Sequence, residues 1–197
     1  MIKTYSKKKD GNVKLSENFK VKEFACKSGD DIILIDTQLI DILQKIRQHF
    51  GKTITINSAY RTPSYNISVG GVSNSQHTRG TAADIVVNGI SPDKVAQYAE
   101  YLMPKSGGIG LYKTFTHIDV RENRARWYNY GKEISTSGFY GYNKFETNDK
   151  YISVTDAISV LNKKGIISDA SKWYNGTWTD DDFKWLLRKV GTYIRDN

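Results

Sequence analysis

The stretch Ser75-Gln76-His77-Thr78-Arg79-Gly80-Thr81-Ala82-Ala83-Asp84 constrains this chain more than any other. It sets a histidine and an aspartate seven residues apart, with a glycine and small residues between them. His77 lies in a segment rich in Gly, Ser and Asn, which reads as a loop. Asp84 opens the apolar run Ile85-Val86-Val87, which reads as a buried strand. A loop histidine and an aspartate at the start of a strand can converge on one point. Further on, Thr116-His117-Ile118-Asp119-Val120 alternates strictly, so His117 and Asp119 share one strand face and Ile118 and Val120 the other. One face of a sheet is then core, and the other carries His77, Asp84, His117 and Asp119.

Two imidazoles and a carboxylate, here His77, Asp84 and His117, make the ligand set of a catalytic zinc site with a fourth position left for water. The same side chains could also meet as hydrogen-bonded structural groups, and spacing alone does not separate the two readings.

The pattern Ser75-x-His77-x-x-Gly80-x-Ala82-x-Asp84, followed by His117-x-Asp119, resembles the signature of zinc D-alanyl-D-alanine carboxypeptidases and related peptidoglycan peptidases. This group includes vancomycin-resistance D,D-carboxypeptidases and several phage endolysins, and its fold resembles the hedgehog signalling domain. Upstream, Ser58-Ala59-Tyr60-Arg61 is similar to the family's Ser-x-x-Arg element, and the likeness covers about residues 15–130. It implies one zinc ion per chain on His77, Asp84 and His117, which would acidify a bound water and polarise a peptide carbonyl. It places Arg61 in the active site, where a guanidinium suits a substrate carboxylate or a developing oxyanion. Ser58, Ser75 and Gln76, within the matched elements, are expected to bind substrate. Many relatives carry an acidic residue three positions before the last histidine, and here that position is Thr114. Asp119 is the nearest replacement. It is either the general base or the acceptor of the free N–H of a zinc-bound histidine.

Other elements follow in order. Residues 1–14 are polar and read as loose. Asp36 caps a helix to about Phe50, with Leu39, Leu43, Ile46 and Phe50 at helical spacing and Gly51 as stop. His49 reads as a surface residue of that helix. Thr53–Asn57 alternates as a strand that delivers Ser58 and Arg61 to its end. Ser91-Pro92 starts a second helix with Val95, Ala96, Ala99 and Leu102 inward. Gly108-Ile109-Gly110-Leu111-Tyr112 leads into a strand, and Ala125–Tyr128 closes the domain. The expected fold is α+β: a four-stranded antiparallel sheet, with the helices on the face away from the metal. Residues 131–150 read as a linker. Residues 151–197 read as a small all-α module, with Thr155 capping one helix, Thr179 beginning another, and Phe183, Leu186, Leu187, Val190 and Ile194 as the stripe of the second. Its Trp173, Trp178 and Trp185 form a small core or, exposed, stack on wall sugars.

Composition narrows the partners. With 29 Lys and Arg against 21 Asp and Glu, the chain carries a net charge of +8. Residues 151–197 hold seven basic and six acidic side chains, so the excess lies in residues 1–150. A basic surface suits an anionic polymer. Bacterial peptidoglycan with its teichoic acids fits. Nucleic acid does not, because no basic motif is interleaved with aromatics. No apolar stretch approaches the ~18 residues that span a membrane. No apolar segment backs the basic start, so we expect no secretory signal. A wall-directed protein of this kind is made in the cytoplasm and reaches its substrate after release. Cys26 is the only cysteine, so no internal disulfide forms and it reads as a small buried hydrophobe.

Overall fold

The computed structural model describes residues 1–139, 154–169, 172–173 and 179–196. The chain divides into two compact units, Met1–Tyr140 and Gly141–Asn197. The first unit is α+β and contains every residue of the candidate site.

Its main sheet has six strands, not four, and it is mixed. In chain order they are β3 (Ile54–Ser58), β4 (Ala82–Val87), β5 (Gly108–Tyr112), β6 (Thr116–Asp119), β7 (Ala125–Asn129) and β8 (Glu133–Ser135). Their order across the sheet is β3-β4-β6-β5-β7-β8, and every pair is antiparallel except β5 and β7. The parallel pair has a topological cause. Strands β5 and β6 form a hairpin, so β6 ends where β5 begins, with Asp119 opposite Gly108. The chain then crosses to the far side of β5, and Ala125 also pairs with Gly108. Starting from the same end, β7 must run the same way as β5. Alternation marks a strand but carries neither its neighbour nor its direction.

Within residues 131–139, expected as linker, Glu133–Ser135 belongs to this sheet and Phe139 packs against the same unit. Strand β8 pairs with β7, and Phe139 is 5% exposed with its N–H donating to Glu100 Oε2. All three residues of β8 are exposed, so a polar sequence here marks a short edge strand. The rest of the expected linker, 140–150, lies outside the described residues. The start of the chain is not loose either. Strand β1 (Ile2–Ser6) pairs antiparallel with β2 (Ile32–Asp36) in a separate two-stranded sheet. Ile33 and Ile35 of β2 are buried, and this anchors a polar partner that shows no signal of its own.

The helices follow their sequence signals closely. Preceding them is α1 (Lys7–Asp10), a single turn. Helix α2 (Thr37–Phe50) is capped by the Asp36 carboxylate, which accepts from the Gln38 N–H at 2.8 Å, and it ends at Gly51 in the left-handed conformation. Helix α3 (Pro63–Ser68) follows β3, and α4 (Pro92–Leu102) has Pro92 in its first turn. Leu39, Leu43 and Ile46 of α2 and Val95, Ala96 and Ala99 of α4 are buried, as are Ile85, Ile109 and Ile118 on one face of the sheet. Each buried Leu or Ile contributes about 1.5–3 kcal/mol. His49 is half-buried rather than on the surface. Its ring stacks on Tyr98 of α4 with centroids 3.8 Å apart, and burial lowers its pKa.

One charge pair sits within the helix side of the sheet. The Arg126 side chain, on β7, is fully buried and donates to Glu100 of α4 and to the carbonyls of Gly107 and Ala125. Cys26 is buried, and the Thr62 N–H donates to its sulfur at 3.4 Å.

In the second unit, α5 (Val154–Lys163) and α6 (Asp180–Asp196) are helical. Thr155 lies inside α5 rather than at its cap. Thr179 and Asp182 form a reciprocal cap: the Asp182 N–H donates to Thr179 Oγ1 and the Thr179 N–H to Asp182 Oδ2. Ile158, Ile166 and Ile167 are buried, whereas Phe183 and Leu187 of the expected stripe, and Trp185 beside it, are exposed. Trp178 lies outside the described residues.

Candidate metal centre

Strand register carries the centre. Asp84 lies opposite His117 and Ala82 opposite Asp119 across β4 and β6. Gly108 and Gly110 of β5 then pair with Asp119 and His117, and Gly110 also pairs with Trp127 of β7. These residues therefore share one face, opposite to Ile85, Ile109 and Ile118. Asp84 is the third residue of its strand, not the first, which places it directly beside His117. A bulge in β3 between Ile56 and Ser58 brings Ser58 opposite Asp84.

His77 is delivered by a 3-10 turn, Gln76–Arg79. Ser75 caps it: its hydroxyl accepts from the His77 N–H at 3.3 Å. Gly80 closes it at φ +72°, with Leu34 so near that any Cβ would collide with its carbonyl oxygen. The His77 Nδ1–H donates to the Ala59 carbonyl at 2.7 Å. A carbonyl can only accept, so Nδ1 carries a proton, and in the neutral ring Nε2 then holds the lone pair that a metal would take. Nε2 lies 3.4 Å from Asp84 Oδ1.

His117 is held between two carboxylates. Its Nδ1 is 2.8 Å from Asp84 Oδ1 and its Nε2 is 3.1 Å from Asp119 Oδ2. Burial opposes charge on this imidazole, but the hydrogen bonds to Asp119 and Asp84 outweigh it and push its pKa up to about 9. Burial likewise works against the Asp84 carboxylate, yet its bonds with His117 and His77 hold its pKa well below the usual range. Asp119 is 0% exposed. It accepts from the Gly108 and Arg121 N–H groups and from the Arg121 guanidinium, with Nη2 at 2.6 Å. Against the cost of burial, His117 and Arg121 hold its pKa well down too. Arg61 binds the other end of the cluster, with Nε donating to Ser58 Oγ at 2.8 Å and Nη2 to Asp84 Oδ2 at 2.9 Å. Charges alternate along one line: Arg121, Asp119, His117, Asp84, Arg61.

This donor set fits a zinc ion. One ligand atom from each of His77, Asp84 and His117 lies within 4.8 Å of the others. Each imidazole has one nitrogen engaged by a protein acceptor and the other turned to Asp84 Oδ1. A proton on His117 Nδ1 stands where a cation would. Nitrogen and carboxylate oxygen donors, three in number, match an open zinc site, and the acceptors behind the imidazoles match the way such ligands are oriented.

The centre opens into a cavity of about 950 Å³. Of the residues expected from sequence, Arg61, Ser75, Gln76, His77, Asp84 and His117 line it, and Ser58 and Asp119 do not. Ser58, Ser75 and Gln76 are engaged within the protein: Ser58 on Arg61, Ser75 on the His77 turn, and Gln76 Oε1 as acceptor for Thr81 Oγ1 at 2.9 Å. Thr114 is exposed in the turn between β5 and β6. Sequence reasoning missed Arg121 and the aromatic wall of Tyr112, Phe115 and Trp127. A signal existed. Gly108, Gly110 and Tyr112 alternate with Ile109 and Leu111, so they share a face once β5 is paired with β6.

An α+β domain that turns two oriented imidazoles and a carboxylate into an open cavity has the make-up of a metallopeptidase. A family model described as Peptidase M15 matches residues 17–119, over half of the chain and all three ligand candidates, and the chain belongs to that family. The family is zinc-dependent. A search of curated proteins finds no match. No helix among the described residues is long and apolar enough to cross a membrane.

Proposed function

We propose that this protein is a zinc peptidase that hydrolyses peptide bonds in the stem peptides of bacterial peptidoglycan, as a D,D-carboxypeptidase or an endopeptidase. A role in wall lysis, such as that of a phage endolysin, is the setting that suits it. The observation that carries this reading is the triad of His77, Asp84 and His117 at the cavity, in a chain of the Peptidase M15 family. A bound zinc supplies the Lewis acid that polarises the scissile carbonyl and acidifies water. The rest is done by the chain. Ala59 and Asp119 orient the two imidazoles, and Arg61 fixes Asp84. The Arg61 guanidinium at the cavity wall also suits the carboxylate of a stem peptide. Asp119, enclosed and bonded to Arg121, holds His117 rather than meeting water. The basic excess in residues 1–150 favours an anionic wall, and the exposed Trp185 of α6 is suited to stacking on its sugars.

A second reading rests on Thr114, where many relatives have an acid: a wall-binding or morphogenesis protein without turnover. One experiment separates the two. Purified peptidoglycan fragments are incubated with zinc-loaded protein and analysed by mass spectrometry. Release of D-alanine or of a stem-peptide fragment, abolished by chelation, is expected. Intact fragments after prolonged incubation, with the protein still bound to them, would favour the second reading.

A further inference from the structure

We propose that the phenolic hydroxyl of Tyr112 is a catalytic hydrogen-bond donor, aimed at the oxygen that gains charge as the scissile carbonyl becomes tetrahedral. The proposal rests on the peptidase reading above. Tyr112 lies on the same face of β5 as Gly110, the strand partner of His117, and it lines the cavity. Two contacts fix its ring and its oxygen. Phe115 stacks on it with centroids 4.2 Å apart, and Trp127 Nε1 lies 3.3 Å from the hydroxyl oxygen. An indole N–H only donates, so the phenol oxygen is the acceptor there and its own proton is turned elsewhere. No described residue accepts that proton.

Trp127 also locates the hydroxyl. Cε2, Nε1 and Cζ2 of the indole lie 2.4–2.6 Å from where a Cβ on Gly110 would stand. Only glycine admits the ring so close, and its nitrogen edge therefore rests on Gly110. Trp127 and His117 have ring centroids 5.1 Å apart. A hydroxyl bonded to that edge stands on the β5 side of His117, whereas Arg61 follows β3 at the other end of the strand order. This is the wall facing away from Arg61.

Arg61 is the other donor suited to the oxyanion, but its Nε donates to Ser58 and one Nη2 N–H to Asp84, and the N–H groups that remain also suit the substrate carboxylate. Tyr112 brings a neutral O–H whose acceptor side is already satisfied. As the carbonyl carbon becomes tetrahedral, its oxygen takes the π pair of the C=O bond. Tyr112 donates a hydrogen bond to that oxygen and keeps its proton.

Tyr112→Phe tests this while keeping the stack on Phe115. The probe is a phosphinate pseudopeptide of D-Ala-D-Ala, whose P–O oxygens imitate the tetrahedral oxygens, titrated calorimetrically into zinc-loaded protein. We expect the variant to bind zinc and melt like the wild type and to bind phosphinate at least about tenfold more weakly. On a stem peptide it should lose about 10²–10³ in kcat with KM little changed. Phosphinate affinity within twofold of wild type would overturn the proposal, as would wild-type protein that binds no phosphinate, or loss of zinc from the variant. If the wild type binds phosphinate but cuts no stem peptide, the peptidase reading fails, and the affinity ratio still decides the role of Tyr112.

Discussion

Two arginine–carboxylate pairs sit on opposite faces of one sheet, and they do different things. On the helix face, Glu100 pairs with Arg126 and also accepts from Arg124 and the Phe139 N–H, the spare N–H groups of Arg126 and Arg124 donate to main-chain carbonyls, and none of these bonds reaches His77, Asp84 or His117. On the other face, Arg121 and Asp119 make an equally tight pair, but Asp119 has a further bond to His117. That bond leads on to Asp84 and Arg61, at the wall of the cavity. A closed pair anchors a helix to a strand. A pair with a bond left over passes its orientation on to a reactive group. Both pairs join an arginine to a buried carboxylate, and although the Arg126 side chain is fully buried and that of Arg121 partly exposed, the pairing by itself does not separate structure from site. What separates them is where the last hydrogen bond goes.

The sharpest way to break this contrast is at the open end of the site face. A His77→Ala, His117→Ala double variant should lose the zinc that the wild type holds at about one ion per chain. Elemental analysis after dialysis measures it. Far-UV and near-UV circular dichroism should stay native, because the helix face is untouched. Full zinc in the double variant would remove these residues as ligands and leave both arginine pairs merely structural.

The closed pair makes the opposite prediction. Glu100→Ala leaves the Arg126 side chain buried without its counter-charge, which costs about 3–5 kcal/mol. Urea unfolding of the metal-free protein should show this as a lowered midpoint, while zinc stoichiometry in the folded protein stays unchanged. A variant as stable as the wild type would mean that the carbonyls of Gly107, Ala125 and Met103 alone satisfy Arg126. A variant that folds but loses zinc would mean that the two faces are coupled, and the contrast would fail.

How much of this was legible follows from which forces act locally. The cap at Asp36, the stop at Gly51 and Pro92 at its helix start are local, and the sequence shows each of them. The meeting of His77, Asp84 and His117 was legible because strict alternation at Thr116–Val120 fixes a face. Other features depend on partners far away in sequence. The parallel run of β7 beside β5, the pairing of β1 with β2, and β8 at the sheet edge belong to this kind. Arg61 shows the limit for function. Its place at the site could be expected, but its two bonds to Ser58 and Asp84 required the bulge in β3, which no period announces. Glu100 and Arg126 carried no signal, since a charged residue in a helix or strand reads as solvated until its partner is seen.

The finest test asks whether Asp119 orients His117 or acts as a base. The sequence left both open. Its carboxylate takes hydrogen bonds from Gly108, Arg121 and His117, and it is fully enclosed. A base must reach a water at the cavity, and Asp119 does not line it. Asp119→Asn keeps the size and one acceptor oxygen but removes the negative charge that His117 Nε2–H and Arg121 share. Losing the partner behind a metal-bound imidazole typically weakens metal affinity about 10–100-fold. Competition with a fluorescent zinc chelator should find that loss, and at saturating zinc the variant should recover most of its turnover. A lost base gives the reverse pattern: kcat lower by about 10²–10⁴ with zinc affinity nearly intact. Zinc affinity and zinc-saturated kcat on one variant therefore decide the matter, and the second pattern would show that the open pair on the site face takes part in proton transfer rather than in holding His117.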